Sequence, residues 1–115
     1  MKKIFYIFAT IMCLFAKIGY ADDLNNDKIY FFYYDACPYC HQADEYIKKN
    51  YPTLEMEKID VYARGGREML YKCAKKFDIE DSVGTPLFCM GDKYLLGWNE
   101  EVISDFNKYV KEFLK

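Results

Sequence analysis

The chain has 115 residues with 16 basic and 18 acidic side chains, a formal net charge of −2, which bounds it to one domain and leaves no cationic excess to hold a nucleic-acid backbone. An apolar fraction of 52%, spread evenly along the sequence, excludes an intrinsically disordered chain. The twelve tyrosines and nine phenylalanines accompany many Lys, Asn and Ile, so aromatic content alone does not mark a binding surface.

Met1-Lys2-Lys3 gives a positive start, residues 4–16 form an uncharged run of 13, and Gly19 and Ala21 put small side chains three and one before a cut ahead of Asp22-Asp23. That order is the order of a secretory signal peptide, and the run is short of the ~20 residues a permanent membrane helix needs. Lys17 departs from the pattern, and an uncleaved amino-terminal anchor is the alternative. Residues 1–21 are therefore expected to be an export signal, 22–27 a polar lead and 28–115 the folded domain of a periplasmic or otherwise exported protein with no stable membrane span. Without residues 1–21 the chain keeps 94 residues, a net charge of −5 and four cysteines: Cys37, Cys40, Cys73 and Cys89. A domain of that size can fold on its own core, so the cysteines need not be scaffolding, although an oxidising compartment lets any close pair bond.

Ile29-Tyr30-Phe31-Phe32-Tyr33-Tyr34 is continuously apolar or aromatic, the composition of a strand covered on both faces. Asp35-Ala36 breaks the run. From Pro38 a helical period sets in, with Cys40, Ala43, Ile47 and Tyr51 on one side and His41, Gln42, Asp44, Glu45, Lys48 and Lys49 on the other, until Pro52 stops it. Residues 55–62 contain Ile59, Val61 and Tyr62 but more charge than the first strand, which predicts a parallel strand nearer the sheet edge. Gly65-Gly66 opens a loop into a second helix, where Met69, Leu70, Cys73, Ala74 and Phe77 recur at helical spacing. Residues 78–84 are irregular, with Glu80-Asp81 a solvated loop. Leu87-Phe88-Cys89-Met90 and Lys93-Tyr94-Leu95-Leu96 flank Gly91-Asp92, a two-residue hairpin signal. Asn99 is placed to cap a last helix whose inward face is Val102, Ile103, Phe106, Tyr109, Val110, Phe113 and Leu114. The order β-α-β-α-β-β-α predicts an α/β fold, a four-stranded mixed sheet with a right-handed crossover between its parallel strands and three helices.

The chemistry concentrates at Cys37-Pro38-Tyr39-Cys40, between the end of the first strand and the start of the first helix. Pro38 suits the first helical position, where no backbone donor is needed. Cys37 then stands at the helix cap, where free N–H groups and the positive end of the dipole favour thiolate, so its pKa should fall below the free value of about 8.5. Cys40, three residues on, shares that face and can approach the first sulfur, which allows attack on a disulfide by Cys37 and resolution by Cys40. A structural disulfide and metal binding are the competing readings. The first would constrain only a very short loop, and a closed zinc site wants a second Cys/His pair.

Cys37-Pro38-Tyr39-Cys40-His41 resembles the glutaredoxin active-site motif, and Val83-Gly84-Thr85-Pro86 ahead of the third strand is similar to the proline loop of the thioredoxin-like superfamily. The resemblance spans residues 28–115. It implies a thioredoxin/glutaredoxin-like fold and an exported thiol–disulfide oxidoreductase, with Cys37 as nucleophile, Cys40 as resolving thiol, and Pro38, Tyr39, Thr85 and Pro86 facing the substrate. It also implies that Pro86 is cis and lies against the disulfide; an ordinary turn proline is the alternative. Gly97-Trp98-Asn99-Glu100-Glu101 resembles the segment with which glutaredoxins hold the glutamyl end of glutathione, which implies Trp98, Asn99 and Glu100 as contacts, with Arg64 and Arg67 able to assist. Trp98 replaces a glycine of that segment, however, and Asp35 lies where many members carry a base. Glutathione is therefore the alternative co-substrate, a metal or iron–sulfur binding module the third reading, and no other cofactor is expected. The implied partners are protein thiols and disulfides and an unidentified redox partner, with the chain a monomer.

Four residues are left with two readings each. Cys73 and Cys89 read as small core residues, and a second disulfide between them requires Cys89 to point to the side of the sheet that carries the second helix. Trp98 reads equally as a lid beside the site or as packing. His41 reads as a partly exposed first-turn residue with a modest electrostatic effect, or as a proton donor or acceptor for a departing thiolate.

Overall fold

Four consecutive residues of the first strand, Ile29, Tyr30, Phe31 and Phe32, bury their side chains, and a strand of that kind needs a neighbour on each edge and a layer on each face. The computed structural model describes residues 24–114 and supplies both; the expected export signal, residues 22–23 of the polar lead and Lys115 lie outside the described residues. The elements are β1 (Ile29–Tyr33), α1 (Pro38–Asn50), β2 (Glu57–Asp60), α2 (Gly66–Lys76), β3 (Leu87–Met90), β4 (Lys93–Leu96) and α3 (Glu100–Tyr109), with 3₁₀ turns at Glu80–Ser82 and Val110–Phe113. The strand order is β2-β1-β3-β4. β1 runs parallel to β2 and antiparallel to β3, and β3 pairs antiparallel with β4. This is the thioredoxin/glutaredoxin-like arrangement that the sequence predicts: a mixed four-stranded sheet with three helices.

The period of two along the strands sorts the core into two layers. Phe31 and Phe88 stack at 4.7 Å on one face and pack with Ala43 and Ile47 of α1 and Phe106 of α3. Phe32, Leu87 and Cys89 occupy the other face, under Leu70 and Cys73 of α2. α1 and α3 thus share one side of the sheet and α2 covers the other. A partly buried hydrogen-bond network ties the two helices that share a face: Tyr46 and Tyr51 both donate to Asn107 Oδ1, at 3.2 and 2.5 Å, and Asn107 Nδ2 donates back to Tyr46 Oη at 2.9 Å. Burial, with Tyr46 close by, pushes the Tyr51 phenol above its ordinary value.

Local chemistry fixes the joints. Gly91 turns the β3–β4 hairpin at φ 68°, a conformation glycine adopts without penalty. Gly66 lets α2 start against the end of β2, where a Cβ would collide with the carbonyl oxygen of Asp60. Asn99 caps α3 by accepting from Val102 N at 2.8 Å.

Two expectations need correction. β2 is shorter than residues 55–62, because Val61 bonds to the Tyr33 carbonyl as the strand ends and Tyr62 turns out to solvent. The inward face of the last helix holds for Val102, Phe106 and Val110 but not for Leu114, which is exposed. α3 stops at Tyr109, and the 3₁₀ turn that follows advances three residues per turn instead of 3.6. Past Tyr109 the phase is lost, so that Phe113 is half-buried and Leu114 falls outside, while Ile103 and Tyr109 are half-buried on the flank of α3 itself.

Phe106 is fully buried at the junction of sheet, α1 and α3, so Phe106→Ala should cost about 3–5 kcal/mol in urea unfolding, whereas Leu114→Ala should stay within about 0.5 kcal/mol. Equal effects would contradict this assignment of the core.

Candidate active site

The end of β1 determines where the cysteines lie. Tyr34, Asp35 and Ala36 turn the chain out of the sheet, closed by a hydrogen bond from Cys37 N to the Tyr34 carbonyl at 3.1 Å. Cys37 is the N-cap of α1 in an extended conformation (φ −85°, ψ 107°), and Pro38 follows at the first helical position. The Cys37 sulfur occupies the place of a capping oxygen and accepts from Cys40 N at 3.2 Å. Cys37 and Cys40 are joined by a disulfide, with their Cα atoms 5.2 Å apart. Each cysteine is only 3% exposed, whereas Tyr39 between them is 57% exposed.

The loop before β3 closes the other side. The Thr85–Pro86 peptide is cis, Pro86 is buried, and Thr85 Oγ1 donates to Cys37 Sγ at 3.6 Å. The Pro86 carbonyl accepts from Gly97 N at 2.8 Å, which ties this loop to the end of β4. Cys37, Cys40, Thr85 and Pro86 therefore come together from two separate parts of the chain.

A cavity of about 230 Å³ opens beside Cys40, lined by Phe31, Tyr33, Tyr34, Asp35, His41, Asp44 and Lys58 as well. Larger grooves lie along α2 and the loop before it and include neither active-site cysteine; size does not mark the reactive place. In the cavity, Lys58 of β2 bonds to Asp44 of α1 at 2.8 Å, and Lys48 approaches the other carboxylate oxygen at 3.0 Å. Burial pushes the Asp44 carboxyl up, but the hydrogen bonds and positive charges of Lys58 and Lys48 outweigh it and hold the group below its ordinary range. The Lys58 ammonium also lies 5.6 Å from the centre of the Tyr33 ring. His41 directs Nε2 at the Asp35 carbonyl, 2.5 Å away.

Of the residues expected to contact glutathione, Trp98 belongs to the same buried cluster as Cys37 and Cys40. Trp98 is 7% exposed, set edge-on to Tyr46 and Phe106, so it packs within the core on the side of the sheet that carries the disulfide. The Asn99 side chain caps α3 and Glu100 is exposed in its first turn. Arg67 lines a groove along α2 with Tyr71 and Lys75. Among the described residues, no group of three or more His, Cys, Asp or Glu is placed to hold a metal ion, and no helix is long and apolar enough to cross a membrane.

Cys73 and Cys89 are also joined by a disulfide, which links α2 to β3. Cys89 shares its sheet face with Phe32 and Leu87, the face that α2 covers, and this meets the geometric condition for pairing. Both residues are buried, at 0% and 3% exposure, on the far side of the sheet from Cys37 and Cys40.

Neither protein-family models nor curated protein sequences match the chain. Two solved structures are similar in fold. One is a glutaredoxin from Archaeoglobus fulgidus (TM-score 0.54, 21% identity, 70% of this chain and 86% of that one). The other is a mutant of the thioredoxin-like protein BC3987 (TM-score 0.50, 24% identity, 68% of this chain and 96% of that one). The fold is thus that of the thioredoxin/glutaredoxin class, and its site is a disulfide-forming Cys-Pro-Tyr-Cys pair at a helix cap, an arrangement suited to thiol–disulfide exchange.

Two outcomes follow. Cysteines 73 and 89 close a loop of sequence separation 16, so the double Cys73→Ala, Cys89→Ala variant should lose about 3 kcal/mol of stability while still forming the Cys37–Cys40 disulfide; unchanged unfolding midpoints would show that the link contributes nothing. The depressed Asp44 carboxyl stabilises the fold fully above the ordinary carboxylate value of about 4, and this contribution is lost as the pH falls through the folded value. Asp44→Asn should therefore flatten the loss of stability seen below pH 4, and a variant as acid-sensitive as the wild type would contradict the pairing.

Proposed function

We propose that the chain is an exported thiol–disulfide oxidoreductase that exchanges disulfides with protein thiols through Cys37 and Cys40. The observation that carries this reading is Cys37 Sγ at the cap of α1, disulfide-bonded to Cys40 and flanked by Thr85 and cis-Pro86. In the reducing direction, the Cys37 thiolate attacks one sulfur of a substrate disulfide and expels the other as thiolate. Cys40 then attacks Cys37 Sγ, the bond to the substrate breaks, and the Cys37–Cys40 disulfide remains as two electrons pass to the substrate. The reverse sequence donates the disulfide. Which direction prevails depends on the potential of the pair against its compartment, where ~30 mV is worth about 1.4 kcal/mol.

Three features suit this role. The capping N–H and the helix dipole stabilise negative charge on Cys37. Pro86, which follows the Thr85 that bonds to Cys37 Sγ, carries no backbone N–H. The exposed Tyr39 ring offers apolar surface next to the disulfide. The export signal expected at residues 1–21 supports a role in the periplasm or another oxidising compartment, where protein substrates with paired or unpaired cysteines occur.

Insulin reduction with dithiothreitol as electron donor, or oxidative refolding of a scrambled protein, tests the reading. Cys37→Ser should abolish turnover, and Cys40→Ser should accumulate a mixed disulfide on Cys37 that denaturing mass spectrometry can detect. Full turnover by Cys37→Ser would defeat the proposal. Activity of Cys40→Ser that persists only with glutathione present would instead support the monothiol alternative.

A further inference from the structure

The exchange chemistry, taken as proposed above, leaves one proton unassigned. Cys37 gains its negative charge from the helix cap, but Cys40 lies inside the first turn, is 3% exposed, and must lose its proton before it can attack the mixed disulfide. The cavity that Cys40 lines offers the proton a route, and at about 230 Å³ this space can admit water.

The groups that face this cavity are few. From the end of β1 come Tyr33, Tyr34 and Asp35, from β2 Lys58, and from α1 His41 and Asp44, with Glu45 one turn beyond His41. Phenols and ammonium groups ordinarily hold their protons at neutral pH and so cannot accept one. The Asp44 carboxylate is engaged by Lys58 and Lys48 on its two oxygens, which makes it a poor base. The Asp35 carboxylate also lines the cavity, but carboxylates ordinarily titrate near about 4 and are weaker bases than imidazole, whose ordinary titration lies between pH 5 and 8. His41 follows Cys40 directly and lines the same cavity. Its Nε2 faces the Asp35 carbonyl at 2.5 Å, and a carbonyl oxygen can only accept, so Nε2 carries a hydrogen whether the ring is neutral or charged. The neutral ring therefore keeps its lone pair on Nδ1.

We propose that His41 takes the Cys40 proton in the resolving step, through Nδ1 and solvent in the cavity, while its Nε2–H holds the ring on the Asp35 carbonyl. The proton passes from Cys40 Sγ to Nδ1. The electron pair left on Cys40 forms the bond to Cys37 Sγ as the bond from Cys37 to the substrate sulfur breaks. The substrate departs as thiolate and is protonated by the imidazolium or by water.

Stopped-flow reaction of the reduced full chain with a thionitrobenzoate disulfide separates the steps, because the first release of thionitrobenzoate reports attack by Cys37 and the second reports attack by Cys40. In the wild type the second release should accelerate as pH rises from 5 to 8. His41→Gln, which keeps an N–H donor for the Asp35 carbonyl but cannot accept a proton, should slow the second release about tenfold or more at pH 7. The first release should change less than about twofold, and added imidazole should restore the second. The proposal is overturned if His41→Gln keeps the wild-type second release across this range, if both releases slow equally, or if Asp44→Asn produces the same selective loss. A wild type with no fast first release would instead defeat the exchange reading on which this one rests.

Discussion

A single contact, the hydrogen bond from Cys40 N–H to Cys37 Sγ at the start of α1, organises the rest of the molecule around it. Helix starts leave N–H groups without partners, and side-chain oxygen usually meets that need. Here sulfur does, so the helix gains a cap and the sulfur gains an environment that favours negative charge. The contact exists only because β1 ends where it does. Its buried residues lock the strand between β2 and β3, and three residues later the chain must enter α1 with Cys37 at the boundary.

The sheet then separates two jobs. On the side of α1 and α3, the active disulfide is embedded in the same cluster as Phe31, Phe88 and Phe106, so the reactive pair rests on rigid packing. The loop that presents Thr85 and Pro86 is anchored through Gly97 to β4, and its register follows from the β3 ladder. On the side of α2, the Cys73–Cys89 link lies within apolar residues. The sheet thus keeps the Cys73–Cys89 disulfide apart from the Cys37–Cys40 pair, and exchange between them would require a thiolate to reach the sulfur.

Much of this was legible in the residues. The continuous apolar run of β1, the Pro38 start, the Gly91-Asp92 turn and the Asn99 cap each carry a local signal, and local signals suffice for the element order and for the placement of Cys37 and Cys40. What remained hidden depends on register and on element ends. Asp44 lies one helical turn from Cys40 and was in principle readable from spacing, but its partner Lys58 reaches it only because β2 pairs with β1 so that Lys58 stands opposite Phe31. The Cys73–Cys89 link depended on which face of β3 turns towards α2. Trp98 had two readings because a tryptophan after a strand can pack or cover, and the edge contacts with Tyr46 and Phe106 decided for packing. Leu114 was misjudged because nothing in its local pattern announces the change from α to 3₁₀ geometry at Tyr109.

Once the disulfide is reduced, the helix start should hold the Cys37 sulfur as thiolate more readily than a free cysteine. The rate of alkylation of reduced protein by iodoacetamide, followed from pH 4 to pH 10 with the modified residue identified by peptide mass, measures this directly. The expected result is a titration at Cys37 with a midpoint well below the value of about 8.5 for free cysteine; a midpoint at or above that value would show that the helix cap does not favour the thiolate.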